Sequence, residues 1–149
     1  MYLNQSIETV KKFLMKELSI PAARFSPPRD EEVMLPSPKW IAEFADWIGK
    51  AQKPSAALQR WDCDDFAFWA STEASLCRAM SLGESGHAVF IAYINVDGNF
   101  CGLSFDKVTE HACLLIVDSE QTVWFLEPQT GYTCEAKNLS NVFVDYIIV

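Results

Sequence analysis

No stretch of this 149-residue chain approaches the roughly 18 consecutive apolar residues of a spanning helix, so a membrane span is excluded. A basic excess is missing too: 12 Lys plus Arg stand against 20 Asp plus Glu, a formal net charge of −8. Nucleic acids and anionic membranes call for a clustered basic face, so neither is an expected partner. The five cysteines (Cys63, Cys77, Cys101, Cys113 and Cys134) contain no C-x-x-C pair and are odd in number. Neither a disulfide framework nor a thiolate zinc site is therefore favoured. Phosphate-binding glycine loops, an H-E-x-x-H pair and an EF-hand loop are all absent, which removes nucleotide, zinc-hydrolase and EF-hand chemistry. No basic region followed by an apolar run opens the chain, so a secretory signal is not expected and the location reads as cytoplasmic.

Half of the residues are apolar and 13% are aromatic, enough for a real core in a single domain. Ile7, Val10, Phe13, Leu14 and Leu18 recur at helical spacing, with Asn4 or Ser6 as the cap. Four prolines between Ile20 and Pro36 mark an irregular loop. Ser37-Pro38 opens a second helix with Trp40, Ile41, Phe44, Trp47, Ile48 and Ala51 on its apolar face. A third, buried helix is predicted from about Asp62 to Met80. Beyond Gly86 the texture changes to strands. A hairpin is predicted around Asp97-Gly98, a second around Asp118-Ser119-Glu120, and a closing strand over Val142 to Val149. Helices first and antiparallel strands after read as an α+β chain.

Trp61-Asp62-Cys63-Asp64-Asp65-Phe66-Ala67 places a cysteine where the buried helix begins. Unpaired N–H groups and the helix dipole favour thiolate there, the species a nucleophile needs, while the three aspartates oppose it. A buried structural cysteine is the plainer account of Cys63, and packing is the plainer account of Trp40, Trp47 and Trp69. Cys77, Cys101, Cys113 and Cys134 read as small buried residues. Of the two histidines, His111 is the better candidate base. A three-residue loop at Asp118–Glu120 sets it opposite Glu127, whose carboxylate can fix the imidazole tautomer. His87 pairs with Val108 in the predicted register, leaving Asp106 as its fallback partner. Trp61, two positions before Cys63, is a candidate lining of a substrate cleft.

Cys63-Asp64-Asp65-Phe66-Ala67 at a helix start, His111-Ala112 at a strand start and Glu127-Pro128 after the next strand resemble the motifs of papain-like and transglutaminase-like cysteine peptidases. The resemblance is to the bacterial and phage-borne branch. The Cys, His, Glu order is also similar to that in the cysteine-protease domain of a fairy-ring mushroom agglutinin. It covers Trp61 to Tyr132. It implies a papain-like fold over 1–149, with a helical part over 1–60 and a catalytic core over 61–149, the cysteine helix packed on an antiparallel sheet. Cys63 is then the nucleophile, His111 the base and later the acid, and Glu127 the orienting carboxylate. Gln59 is the oxyanion donor beside the Cys63 N–H.

The implied activity is hydrolysis of a peptide or protein substrate through an acyl-thioester. Acyl transfer to an amine and a catalytically inactive binding module are the alternatives. No cofactor is required by such a mechanism. Relatives of this type can depend on calcium, for which Asp62, Asp64, Asp65 and Gln129 supply oxygen donors. Capping of the helix start explains the same aspartates without a metal.

Overall fold

Serines open the first two helices. Ser6 Oγ accepts the Thr9 N–H at 3.2 Å to start α1 (Ile7–Leu18). Ser37 Oγ accepts the Trp40 N–H at 3.1 Å to start α2 (Pro38–Lys50). Pro38 fits the first turn because its missing N–H has no intrahelical partner there in any case. The computed structural model describes residues 3–51, 62–81 and 87–149, apart from the side chains of Leu3 and 76–81. The third helix, α3 (Cys63–Ser81), begins at the cysteine singled out above.

Two strands, β1 (Leu3–Ser6) and β2 (Glu32–Leu35), pair as a small antiparallel ribbon. The others are β3 (Val89–Phe100), β4 (Leu103–Val117), β5 (Val123–Leu126), β6 (Thr133–Glu135) and β7 (Val142–Ile148). They form a five-stranded antiparallel sheet in the order β6-β5-β4-β3-β7.

Both faces of this sheet are covered. On one, Phe90, Ala92, Ile94, Cys113, Leu115 and Phe125 join Ile7, Val10 and Leu14 of α1 in a single core. On the other, Ile91, Ala112, Leu114, Ile116 and Leu126 meet Ile41, Phe44 and Ile48 of α2 and Ala67, Ala70 and Ala74 of α3. Strands buried on both faces read as continuous apolar runs, which is why Ala112–Val117 shows no alternation. The three small alanines let α3 sit close to β4.

The predicted papain-like α+β arrangement is corrected on this evidence. The described residues form a five-stranded antiparallel sheet and a two-stranded ribbon alongside three α-helices. Part of the difference lies in β2, hidden in the proline-rich stretch, whose apolar residues are held by pairing with residues some thirty positions earlier. Part lies in the hairpins. Asp97-Gly98 is not the turn but an irregularity inside long strands, with pairing shifted between Val96 and Gly98. The reversal comes at Cys101-Gly102, both with positive φ (42° and 80°), as tight hairpin turns require. His87 consequently precedes β3, bridges to Met34 and packs on the Trp40 ring at 4.4 Å, while Asp106 is exposed.

The β4–β5 connection spans Asp118 to Thr122, because Val117 pairs with Val123. Its organiser is Asp118, which is fully buried. Asp118 Oδ1 accepts the Glu120 and Thr122 N–H groups at 2.9 and 2.8 Å, and Oδ2 accepts Trp124 Nε1–H at 2.8 Å. Alanine there orphans three donors, so Asp118→Ala is expected to cost about 3 kcal/mol. Thermal unfolding should show Tm falling by about 10 °C. A fall of only a degree or two would mean that water replaces the carboxylate.

Candidate functional site

The first turn of α3 is tied by its own aspartates. Asp62 N–H donates to Asp65 Oδ2 at 3.2 Å, and Phe66 N–H donates to Asp62 O at 3.2 Å. The carboxylates of Asp62, Asp64 and Asp65 lie within 4.8 Å of one another at this helix start. Carboxylates are favourable at a helix N-terminus, so capping accounts for them. Gln129 meets the neighbouring carboxylate through its backbone: its N–H donates to Glu127 Oε1 at 2.9 Å.

Cys63 is half-buried, whereas His111 is 5% exposed and Glu127 is fully buried. His111 Nε2 is paired with Glu127 Oε2, and the Cys63 thiol is close enough to act on the imidazole. With Nε2 committed to the carboxylate, Nδ1 is the ring nitrogen left for sulfur. Burial works to lower the basicity of His111. The hydrogen bonds to Cys63 and Glu127, together with their charges, outweigh it and push its pKa from 6.5 up to about 9. The rings of Phe100 and Phe105 stand 6.0 and 5.3 Å from the imidazole and help to exclude water.

The structure thus brings Cys63, His111 and Glu127 together, although not by the predicted register. The three-residue loop is a five-residue one, and the pairing lies two positions from the expected one. A slip of one residue turns every side chain to the other face; a slip of two does not. Extending the observed register sets Cys113 opposite Glu127, with His111 one diagonal step away. Cys113 is fully buried, and burial, then the charges of Glu127 and Cys63, push its thiol pKa well up.

Two neighbours were not singled out from the sequence. Tyr93 on β3 packs on the same core cluster as Cys63, and its pKa is raised by burial first, then by the charges of Asp64, Cys63 and Asp62. Its signal was a lone hydroxyl in the apolar run Ala88–Val96. The other is the Cys101–Cys134 pair, which forms a disulfide across 33 positions, contrary to the reading of both as small buried residues. Spacing offered no sign of it, because the partners meet only after β4 and β5 are laid down. Gln59, Trp61 and the side chain of Cys77 lie outside the described residues.

No family model and no curated protein matches the chain. Solved structures do. One, PSL1a in complex with E64, is 20% identical with a TM-score of 0.65, covering 99% of this chain and 50% of that one. Another is the Polyporus squamosus lectin bound to the human-type influenza-binding epitope Neu5Acα2-6Galβ1-4GlcNAc. It is 19% identical with a TM-score of 0.66 over the same shares. The likeness is one of fold. This chain spans about half the length of the structures it matches.

These neighbours overturn the family resemblance. The fold is one carried by a lectin, and neither neighbour is described as a papain-like or transglutaminase-like peptidase. The readings as cysteine peptidase, hydrolase or enzyme, with a peptide or protein substrate, are corrected accordingly. The resemblance rested on short motifs around three residues, and such motifs report a local arrangement rather than a reaction. Among the described residues no helix is long and apolar enough to cross a membrane.

Proposed function

We propose that this chain is a domain of a lectin-type protein that carries an activated-thiol site at Cys63, with His111 as the proton-holding partner and Glu127 as the carboxylate that orients it. The observation that carries the reading is the buried imidazole paired with the fully buried Glu127 carboxylate and acted on by the Cys63 thiol. An imidazolium in contact with sulfur favours the nucleophilic thiolate. Glu127 fixes the tautomer and keeps the ring charged.

Toward an electrophilic carbon such a site needs one step. The sulfur lone pair forms a C–S bond, the leaving C–O bond of an epoxide breaks, and the oxygen takes the His111 proton. Turnover is no part of this proposal. The complex of one fold neighbour with E64, itself an epoxide, supports a thiol-reactive site in this fold. The sialylated trisaccharide bound by the other supports glycan as a ligand class for this chain.

The test incubates the native protein with E64 and, separately, with limiting iodoacetamide, and maps adducts by mass spectrometry. One E64 adduct on Cys63, formed ahead of any labelling at Cys113, is expected from the exposure of the two thiols. Equal, slow alkylation of all free thiols would overturn the reading. Glycan binding is read in parallel by titrating the trisaccharide Neu5Acα2-6Galβ1-4GlcNAc against the protein. Absence of any binding would remove the glycan part and leave the thiol part standing.

A further inference from the structure

Resting on the thiol-site reading, the geometry points to a redox-sensitive clamp: the Cys101–Cys134 disulfide, acting through the Thr130 hydroxyl, positions Glu127 against His111, and its reduction detunes the site. Glu127 opens a tight turn. Its C=O accepts the Gly131 N–H at 2.8 Å, its N–H donates to Tyr132 O at 3.0 Å, and its Oε1 takes the Gln129 N–H at 2.9 Å. The carboxylate therefore points where the turn points it.

That turn is tied to the tip of the β3–β4 hairpin at two places. Thr130 Oγ1–H donates to Cys101 O at 2.8 Å and the same oxygen accepts the Tyr132 N–H at 3.2 Å. The Tyr132 ring lies on Gly102, where an added Cβ would stand 2.3 Å from it. The acceptor in the first tie, Cys101, is held at φ 42° by the two-residue turn, whose flanking residues Phe100 and Leu103 pair directly.

The disulfide adds a further tie. It joins the hairpin tip to β6, with Cα atoms 5.9 Å apart. β6 is a three-residue edge strand that, among the described residues, pairs only with β5. So short a ladder holds its own register weakly. The covalent bond therefore fixes the hairpin tip over the Glu127 turn. When a dithiol reduces it, the S–S bond breaks, two S–H bonds form, and the dithiol loses two electrons and two protons to become a disulfide. β6 is then held by its short ladder to β5, and the Thr130 hydroxyl just before it is free to shift from the Cys101 carbonyl.

Thr130 is a positioning residue in this scheme, because it reaches neither Cys63 nor His111. The test follows the His111 ring protons by NMR across pH, with His87 as the internal control. It uses the oxidised protein, the same sample under excess dithiothreitol, Thr130→Val, Thr130→Ser and the double variant Cys101→Ser/Cys134→Ser. Reduction, Thr130→Val and the double variant should each lower the His111 midpoint by at least about one pH unit, a tenfold change in proton affinity. Thr130→Ser should keep the oxidised value, and reoxidation should restore it. A midpoint that stays in place in both the reduced protein and Thr130→Val would overturn the clamp while leaving the thiol site intact. Should a variant fail to fold, reduction and reoxidation of the unaltered chain still decide the matter. An oxidised protein whose His111 titrates at its ordinary value would sink the thiol-site reading itself.

Discussion

Replacing His111 by glutamine is expected to slow alkylation of Cys63 at about pH 6 by about 30-fold, with the gap closing as the pH approaches 9. Glutamine keeps an N–H that can donate to the buried Glu127 carboxylate, so the fold is not asked to hold an orphaned charge. What it removes is the cation beside sulfur. A cation beside sulfur favours the thiolate, which is the attacking species, while the lower intrinsic reactivity of a stabilised thiolate trims the advantage. Rate against pH, measured with limiting iodoacetamide and site mapping, separates this from a change in access. A loss of access lowers the curve at every pH alike.

The same pair ties stability to pH. Because the folded His111 pKa is raised from 6.5 to about 9, its stabilising contribution is fully present below the lower value and is lost as the pH climbs through the upper one. The stability advantage of the native chain over His111→Gln should therefore shrink between those limits, read as the difference in urea midpoints.

How much of this was legible in the sequence differs from element to element, and the differences have physical causes. Helix starts are local: a serine and its next turn decide them, and Ser6 and Ser37 were both visible. Cys63 was equally visible as a helix-start residue, since the aspartates that cap the turn adjoin it in sequence. Hairpin registers depend on which of several turn-capable dipeptides is used, and Asp97-Gly98 was the more obvious choice. The chain turns instead at Cys101-Gly102, where both residues take the positive φ of a two-residue turn and Cys101 is bridged to a residue 33 positions on. The His111–Glu127 pairing survived a wrong loop length only because the error was even. What three residues do, by contrast, was not legible from their order. A thiol, an imidazole and a carboxylate in line suggested a peptidase, and the neighbours in fold are a lectin.

Gly131→Ala is expected to be the most damaging single-methyl change near the site, costing about 4 kcal/mol. Two penalties add there. Gly131 sits at φ +74°, where a side chain is strained by its own backbone. Its new Cβ would also stand 2.5 Å from Gly49 Cα, 2.6 Å from Ala45 O and 2.7 Å from Gly49 N, all backbone atoms of α2 with no rotamer to yield. Gly98→Ala supplies the control. Its φ is +79°, but the nearest atom to an added Cβ is Asn141 Nδ2 at 3.8 Å, so only the backbone term remains, about 1 kcal/mol. Thermal unfolding should therefore show a fall in Tm of about 12 °C for the first and about 3 °C for the second. Equal losses would mean that α2 moves away from the turn at little cost. In that case the Glu127 turn would be held by the hairpin tip alone, and the contact between Gly49 and Gly131 would add nothing to the placement of the carboxylate.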